Sequence, residues 1–205
     1  MIKNSQINNL NLICFLLIIY AYINSVLTGI SWDELFVVAR GEERLKYLYS
    51  LGNAKITNDG NQYFPGLFDT LAVFFTQLFP KQFTISTLHL FNTTFSLLTL
   101  LGIYRLTKIL FNKPIARIST LITYFNPIFF GHMAINSKDT IITFSFVWLL
   151  LTFLRYLKTQ KDFSKRKRLV IYACVFLSLG IGTRIQFLGL LIFFTPFLFI
   201  NNKLI

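Results

Sequence analysis

The chain has 205 residues, 54% of them hydrophobic with 24 Phe, against 14% charged, and its mean hydropathy is +0.59. This composition is too apolar for a soluble domain of that size and points to a membrane protein. The net charge of +12 would suit a nucleic-acid binder, but the positions of the basic residues argue against that class.

Charged residues leave uncharged intervals at 4–32, 82–104, 118–137, 140–154, 169–183 and 185–202. A bilayer core takes roughly 20 apolar residues, or about 17 where Lys and Arg stems extend the ends. The expected fold is therefore all-α: one polytopic helix bundle over 1–205 with about six transmembrane helices, near 10–30, 83–104, 116–132, 139–157, 169–183 and 185–201. The first is read as a retained anchor. Its apolar part, Leu10 to Ile30, exceeds a signal h-region, and no small-x-small cleavage site follows it. Cys14 and Cys174 fall inside expected spans without metal-ligand spacing and are read as small apolar residues.

Residues 31–82 form the long outer loop. Within it, "DELFVVARGEERLKYLYSLG" interleaves Leu35, Val38, Leu45, Leu48 and Leu51 with charge. This predicts an amphipathic helix on the membrane surface, kinked near Gly41 and ending at Gly52. After the turn-rich "ITNDGNQYFPG", the segment "LFDTLAVFFTQLFP" is too short to span and predicts a second interfacial or re-entrant helix closed by Pro80.

Of the 20 Lys and Arg, 13 lie at the N-terminus, in 105–117, in 155–168 or after 202. Six alternating helices put all these segments on one side, which the positive-inside rule makes the cytoplasm. The expectation is an integral protein of the cell (inner) membrane with a cytoplasmic N-terminus. The run "KTQKDFSKRKR" becomes a juxtamembrane loop facing anionic lipid headgroups, with no nucleic-acid partner. Seven of the eight acidic residues fall on the outer side, and only Asp162 is inside.

Three outer connections carry ionisable groups: Asp33 and Glu34, then His132, Lys138 and Asp139, then Arg184. Such groups at a membrane edge are costly unless solvated or paired, so a converging set marks a candidate site. Local structure offers a competing account. "SWDE" fits a capping box, with Ser31 or Asp33 as cap, and "NSKD" places Asp139 in the first turn of a helix capped by Asn136 or Ser137. The functional account has a carboxylate remove a proton from an acceptor hydroxyl. Lys138 and Arg184 would then bind an anionic phosphate, with His132 an interfacial hydrogen-bonder in the substrate-binding set. His89, deep in the second span, is read as a packing residue bonded to a neighbouring helix. Nothing in the residues requires a metal.

The "DE" pair opening a long outer loop, "YFPGLFDTLAVFF", the stretch "LFNTTFSLLTLLGIYRLTKILFNKPIARISTLITYFNPIFFGHMAINSKD" and "SLGIGTRIQFLGLLI" together resemble the GT-C class of integral-membrane glycosyltransferases. The closest branch is the protein O-mannosyltransferase and aminoarabinose transferase superfamily. The resemblance implies transfer of a sugar from a polyprenyl-phosphate carrier to an acceptor on the non-cytoplasmic face. It makes Asp33 the catalytic base, Glu34 its positioning neighbour, and Asp139 an acid that orients the acceptor or helps hold a divalent metal where one is used. Lys138 and Arg184 become donor-phosphate ligands. Family members usually carry more helices, so the expectation is an N-terminal portion, a bundle completed by a partner subunit, or a chain that has lost activity. A transporter or flippase and a non-catalytic assembly subunit are the competing readings.

Overall fold

The computed structural model describes residues 2–56, 63–159 and 162–194, and among them it is helical with no strand. Helix α1 (Ile2–Leu27) precedes the loop that holds α2 (Glu34–Tyr49) and α3 (Leu67–Thr76). The amphipathic helix stands where expected, but Gly41 does not kink it. Gly41 is buried where α2 packs on α3, and a Cβ there would collide with the Asp69 carbonyl and the Val73 side chain. Val37, Gly41 and Leu45 thus face the protein while Leu35, Leu48 and Leu51 stay exposed on the other side. Gly41→Ala is expected to cost about 1–3 kcal/mol through overpacking, seen as a lower Tm of the detergent-solubilised protein. Helix α2 stops in a left-handed turn, Leu51 at φ 52° and Gly52 at φ 89°, where the Gly52 N–H donates to the Tyr47 carbonyl at 2.9 Å.

Pro80 leads through a 3-10 turn into α4 (Thr84–Leu110). The expected third span is split into α5 (Lys113–Phe125) and α6 (Pro127–His132). Asn126 makes the break: its side chain accepts from the N–H groups of Ile128 and Phe129, and Pro127 starts the next helix. Helix α7 (Ser137–Lys158) matches its expected span within a few residues. Helix α8 (Phe163–Thr183) begins earlier than expected, so "SKRKR" forms its first turns instead of a loop. Asp162 is its cap and accepts from the Lys165 N–H at 3.0 Å. That bond and the Lys165 ammonium hold the Asp162 carboxyl below its ordinary value. The cap is therefore fully formed above the ordinary carboxylate pKa and is lost as pH falls through the lowered one. Of the expected sixth span, α9 (Phe187–Leu190) and a 3-10 turn to Phe194 are seen, and the rest lies outside the described residues.

Helix α4 packs against α1, α3, α5 and α7, and α7 packs against α8. The side of α4 turned into the bundle is polar: His89, Asn92, Thr93, Ser96 and Thr99 are all buried. Outward surfaces are apolar, with Ile13, Phe15, Leu16 and Tyr20 exposed on α1 and Val170, Ile171, Tyr172 and Val175 on α8. Among the described helices one, α7, is long and apolar enough to cross a membrane alone, and Leu12–Leu27 and Leu67–Thr76 are shorter apolar stretches. Helix α4 has the length, but its buried polar face lowers its hydropathy, and α8 opens with basic turns.

Candidate active site

The start of α2, the α6–α7 connection and the end of α8 meet around a cleft of about 390 Å³. Asp33, Arg40, His132, Lys138, Asp139 and Arg184 line it, with Trp32 and Asn136 beside them. Five of the six residues expected at the site are thus brought together from three connections. Polar groups of α4 fix the turn that carries three of them. Asn92 Nδ2 donates to the Ala134 carbonyl at 2.7 Å and to Ser137 Oγ at 3.0 Å, and Ser96 Oγ donates to the Met133 carbonyl at 3.1 Å. Each bond satisfies a backbone or hydroxyl group that would otherwise be buried without a partner.

Asp33 is exposed at the cleft, and its side chain makes no capping bond to α2. The capping role falls to Glu34, whose Oε2 accepts from the Ser31 N–H at 2.6 Å. Glu34 is the one expected site residue that the cleft does not contain. Its side chain turns inward, is fully buried, and places Oε1 2.6 Å from His89 Nε2. The capping-box account therefore explains Glu34 and leaves the Asp33 carboxylate available for chemistry.

Asp139 is tied on both sides. Asn136 Nδ2 donates to its Oδ2 at 3.1 Å, and Arg184 Nη1 lies 3.1 Å from its Oδ1. Both Arg184 and Asp139 are about half exposed, so this pair orients more than it stabilises. Arg40 was not anticipated from sequence. Its Nε donates to Asp69 Oδ2 at 2.9 Å, and Arg44 Nη1 donates to the same oxygen at 2.8 Å. Asp69 is 1% exposed. With its Nε held by Asp69, the Arg40 guanidinium lines the cleft and adds a third cation to Lys138 and Arg184. The signals were present in the sequence: Asp33, Val37 and Arg40 follow helical spacing along one face, and Asp69 is a lone charge in an apolar segment.

Residues 65–205 match the family described as dolichyl-phosphate-mannose-protein mannosyltransferase. The chain belongs to that family. It is thereby placed among membrane glycosyltransferases of the GT-C type. No curated protein and no solved structure matches the chain. The mannosyltransferase-family match takes in α3 to the C-terminal end, hence Asp69, His89, His132, Lys138, Asp139 and Arg184. Asp33, Glu34 and Arg40 precede it and stand on geometry alone.

A smaller, largely apolar cavity of about 160 Å³ adjoins the cleft, with His132, Asn136 and Asp139 lining both. Any divalent ion in the cleft would meet two carboxylates, Asp33 and Asp139, the second already paired with Arg184. Among the described residues no group of three His, Cys, Asp or Glu side chains is placed to hold a metal.

Proposed function

We propose that this mannosyltransferase-family chain transfers a sugar from a polyprenyl-phosphate carrier to an acceptor hydroxyl on the non-cytoplasmic face, with Asp33 as general base. One observation carries the reading: a carboxylate with no capping bond, Asp33, shares a cleft with Arg40, Lys138 and Arg184. The cations suit the carrier phosphate, whose charge grows as the glycosidic bond breaks. Asp33 takes the acceptor proton as the acceptor oxygen bonds to the anomeric carbon. The bond from that carbon to the phosphate oxygen breaks, the polyprenyl phosphate departs, and the anomeric centre inverts. Asp139, held by Asn136, orients Arg184 against the departing phosphate.

The buried polar row of α4 and the apolar outer surfaces of α1 and α8 support a membrane-embedded bundle. In the proposed arrangement six segments span the bilayer, the N-terminus is cytoplasmic, and the cleft opens at the outer edge. The basic ends of α4, α7 and α8 lie at the opposite end of the bundle, where Lys158 Nζ donates to the Ile109 carbonyl at 3.3 Å. Native mass spectrometry against a panel of polyprenyl-phosphate sugars tests the reading. Wild type is expected to retain a donor selectively, and Arg184→Ala to weaken that retention by about tenfold, the value of one charge-assisted contact. Wild-type protein that retains none of the panel would overturn the transferase reading and bring forward the transporter or the assembly subunit.

A further inference from the structure

Glu34 and His89 form a buried pair that the proposed chemistry does not use. His89, on α4, is 1% exposed, and its Nδ1 lies 2.9 Å from the Ser25 carbonyl of α1. A carbonyl oxygen only accepts, so Nδ1 carries a hydrogen. The other ring nitrogen, Nε2, lies 2.6 Å from Glu34 Oε1, and among the described residues neither atom makes a hydrogen bond of regular geometry, to the other or to a third group. With Nδ1 already protonated, only a proton between Nε2 and Oε1 makes this contact attractive. Without it, two lone pairs would face each other at that distance in a site closed to water. The other carboxylate oxygen is held by the Ser31 N–H at 2.6 Å.

We infer that Glu34 and His89 share one buried proton and through it hold the Thr28–Asp33 turn, and with it the Asp33 carboxylate, at the cleft. The pair joins α1, the start of α2 and α4, and it is neutral overall whichever atom carries the proton. Neutrality is what makes two ionisable groups tolerable at this depth. Glu34 and His89 are positioning residues: they act on Asp33 through one peptide bond and touch no substrate. The catalytic consequence rests on the transferase reading, whereas the shared proton and the ordering of the turn do not.

The test uses the full chain in detergent with three readouts. In the wild type, the proton between Nε2 and Oε1 gives a strongly downfield NMR signal correlated with ¹⁵N-labelled histidine, and Glu34→Gln removes it, because the carboxamide donates to Nε2 instead. Trp32, next to Asp33 and 84% exposed, reports the order of the turn by fluorescence anisotropy in a Trp148→Phe background. Glu34→Ala lowers that anisotropy, and Glu34→Gln, which restores both bonds, does not. With polyprenyl-phosphate mannose hydrolysis as the assay, Glu34→Ala lowers kcat about 10- to 100-fold with the donor KM within about twofold, a misplacement-sized loss, and Glu34→Gln recovers most of it. Should Glu34→Ala not fold, Glu34→Asp, shorter by one methylene, replaces it. No downfield signal in the wild type, or anisotropy unmoved by Glu34→Ala, overturns the inference. A wild type that releases no sugar from any polyprenyl-phosphate donor of the panel sinks the transferase reading instead, while the signal and the anisotropy still decide the pair.

Discussion

Asp33→Asn is expected to lower turnover by about 10²- to 10⁴-fold, the usual contribution of a positioned general base, with donor retention within about twofold of wild type. Asn keeps the size and polarity of the side chain and loses only the capacity to accept a proton. The substitution is informative because, among the described residues, the Asp33 side chain makes no capping bond, and the helix start is held by Glu34 and Ser31. Asp139→Asn serves as the contrast. Asp139 is already engaged by Asn136 and Arg184, so its loss is expected to weaken donor retention along with turnover. Turnover and native mass spectrometry on one preparation separate the two. Turnover that survives in Asp33→Asn would remove the base from Asp33, and donor retention lost with it would make Asp33 a binding group.

The cleft was more legible in the sequence than the bundle that builds it. Charge in an apolar chain is sparse enough that the few ionisable groups between the apolar runs are conspicuous, and the expected alternation of helices puts their loops at one end. That logic located Asp33, His132, Lys138, Asp139 and Arg184 without any contact information. It misplaced Glu34, because two adjacent carboxylates read alike in sequence and only the helix start decides which turns inward. Helix boundaries failed where one residue overrides periodicity. Asn126 and Pro127 divide an apolar run, and Asp162 starts α8 inside a basic segment that charge alone marks as a loop. Gly41 was read as a kink because glycine weakens helices. Its actual duty, admitting the α3 backbone, depends on a partner 28 residues later. Arg40 was missed for a related reason, since the carboxylate that aims it lies on that same partner helix.

Asp69→Ala is expected to be the most destabilising of these substitutions, by about 3–5 kcal/mol, the usual cost of removing one partner from a buried ion pair. Asp69 Oδ2 takes bonds from Arg40 and Arg44, whose side chains are 15% and 13% exposed, while Asp69 itself is 1% exposed. Without the carboxylate, two nearly buried guanidinium groups face each other at the α2–α3 contact. Arg44 keeps its bond to the Phe64 carbonyl at 2.9 Å, but the buried carboxylate that it shared with Arg40 is gone. Thermal unfolding in detergent is expected to show a Tm lower by on the order of 10 °C. Asp69→Asn retains an acceptor for one arginine and is expected to fall between Asp69→Ala and wild type. Asp69→Ala also releases Arg40 Nε, so surviving folded protein is expected to bind the donor more weakly, whereas Arg184→Ala is expected to weaken binding with Tm nearly unchanged because its ion pair is half exposed. If Asp69→Ala unfolds at the wild-type temperature, the carboxylate is not the counter-charge that anchors α2 on α3.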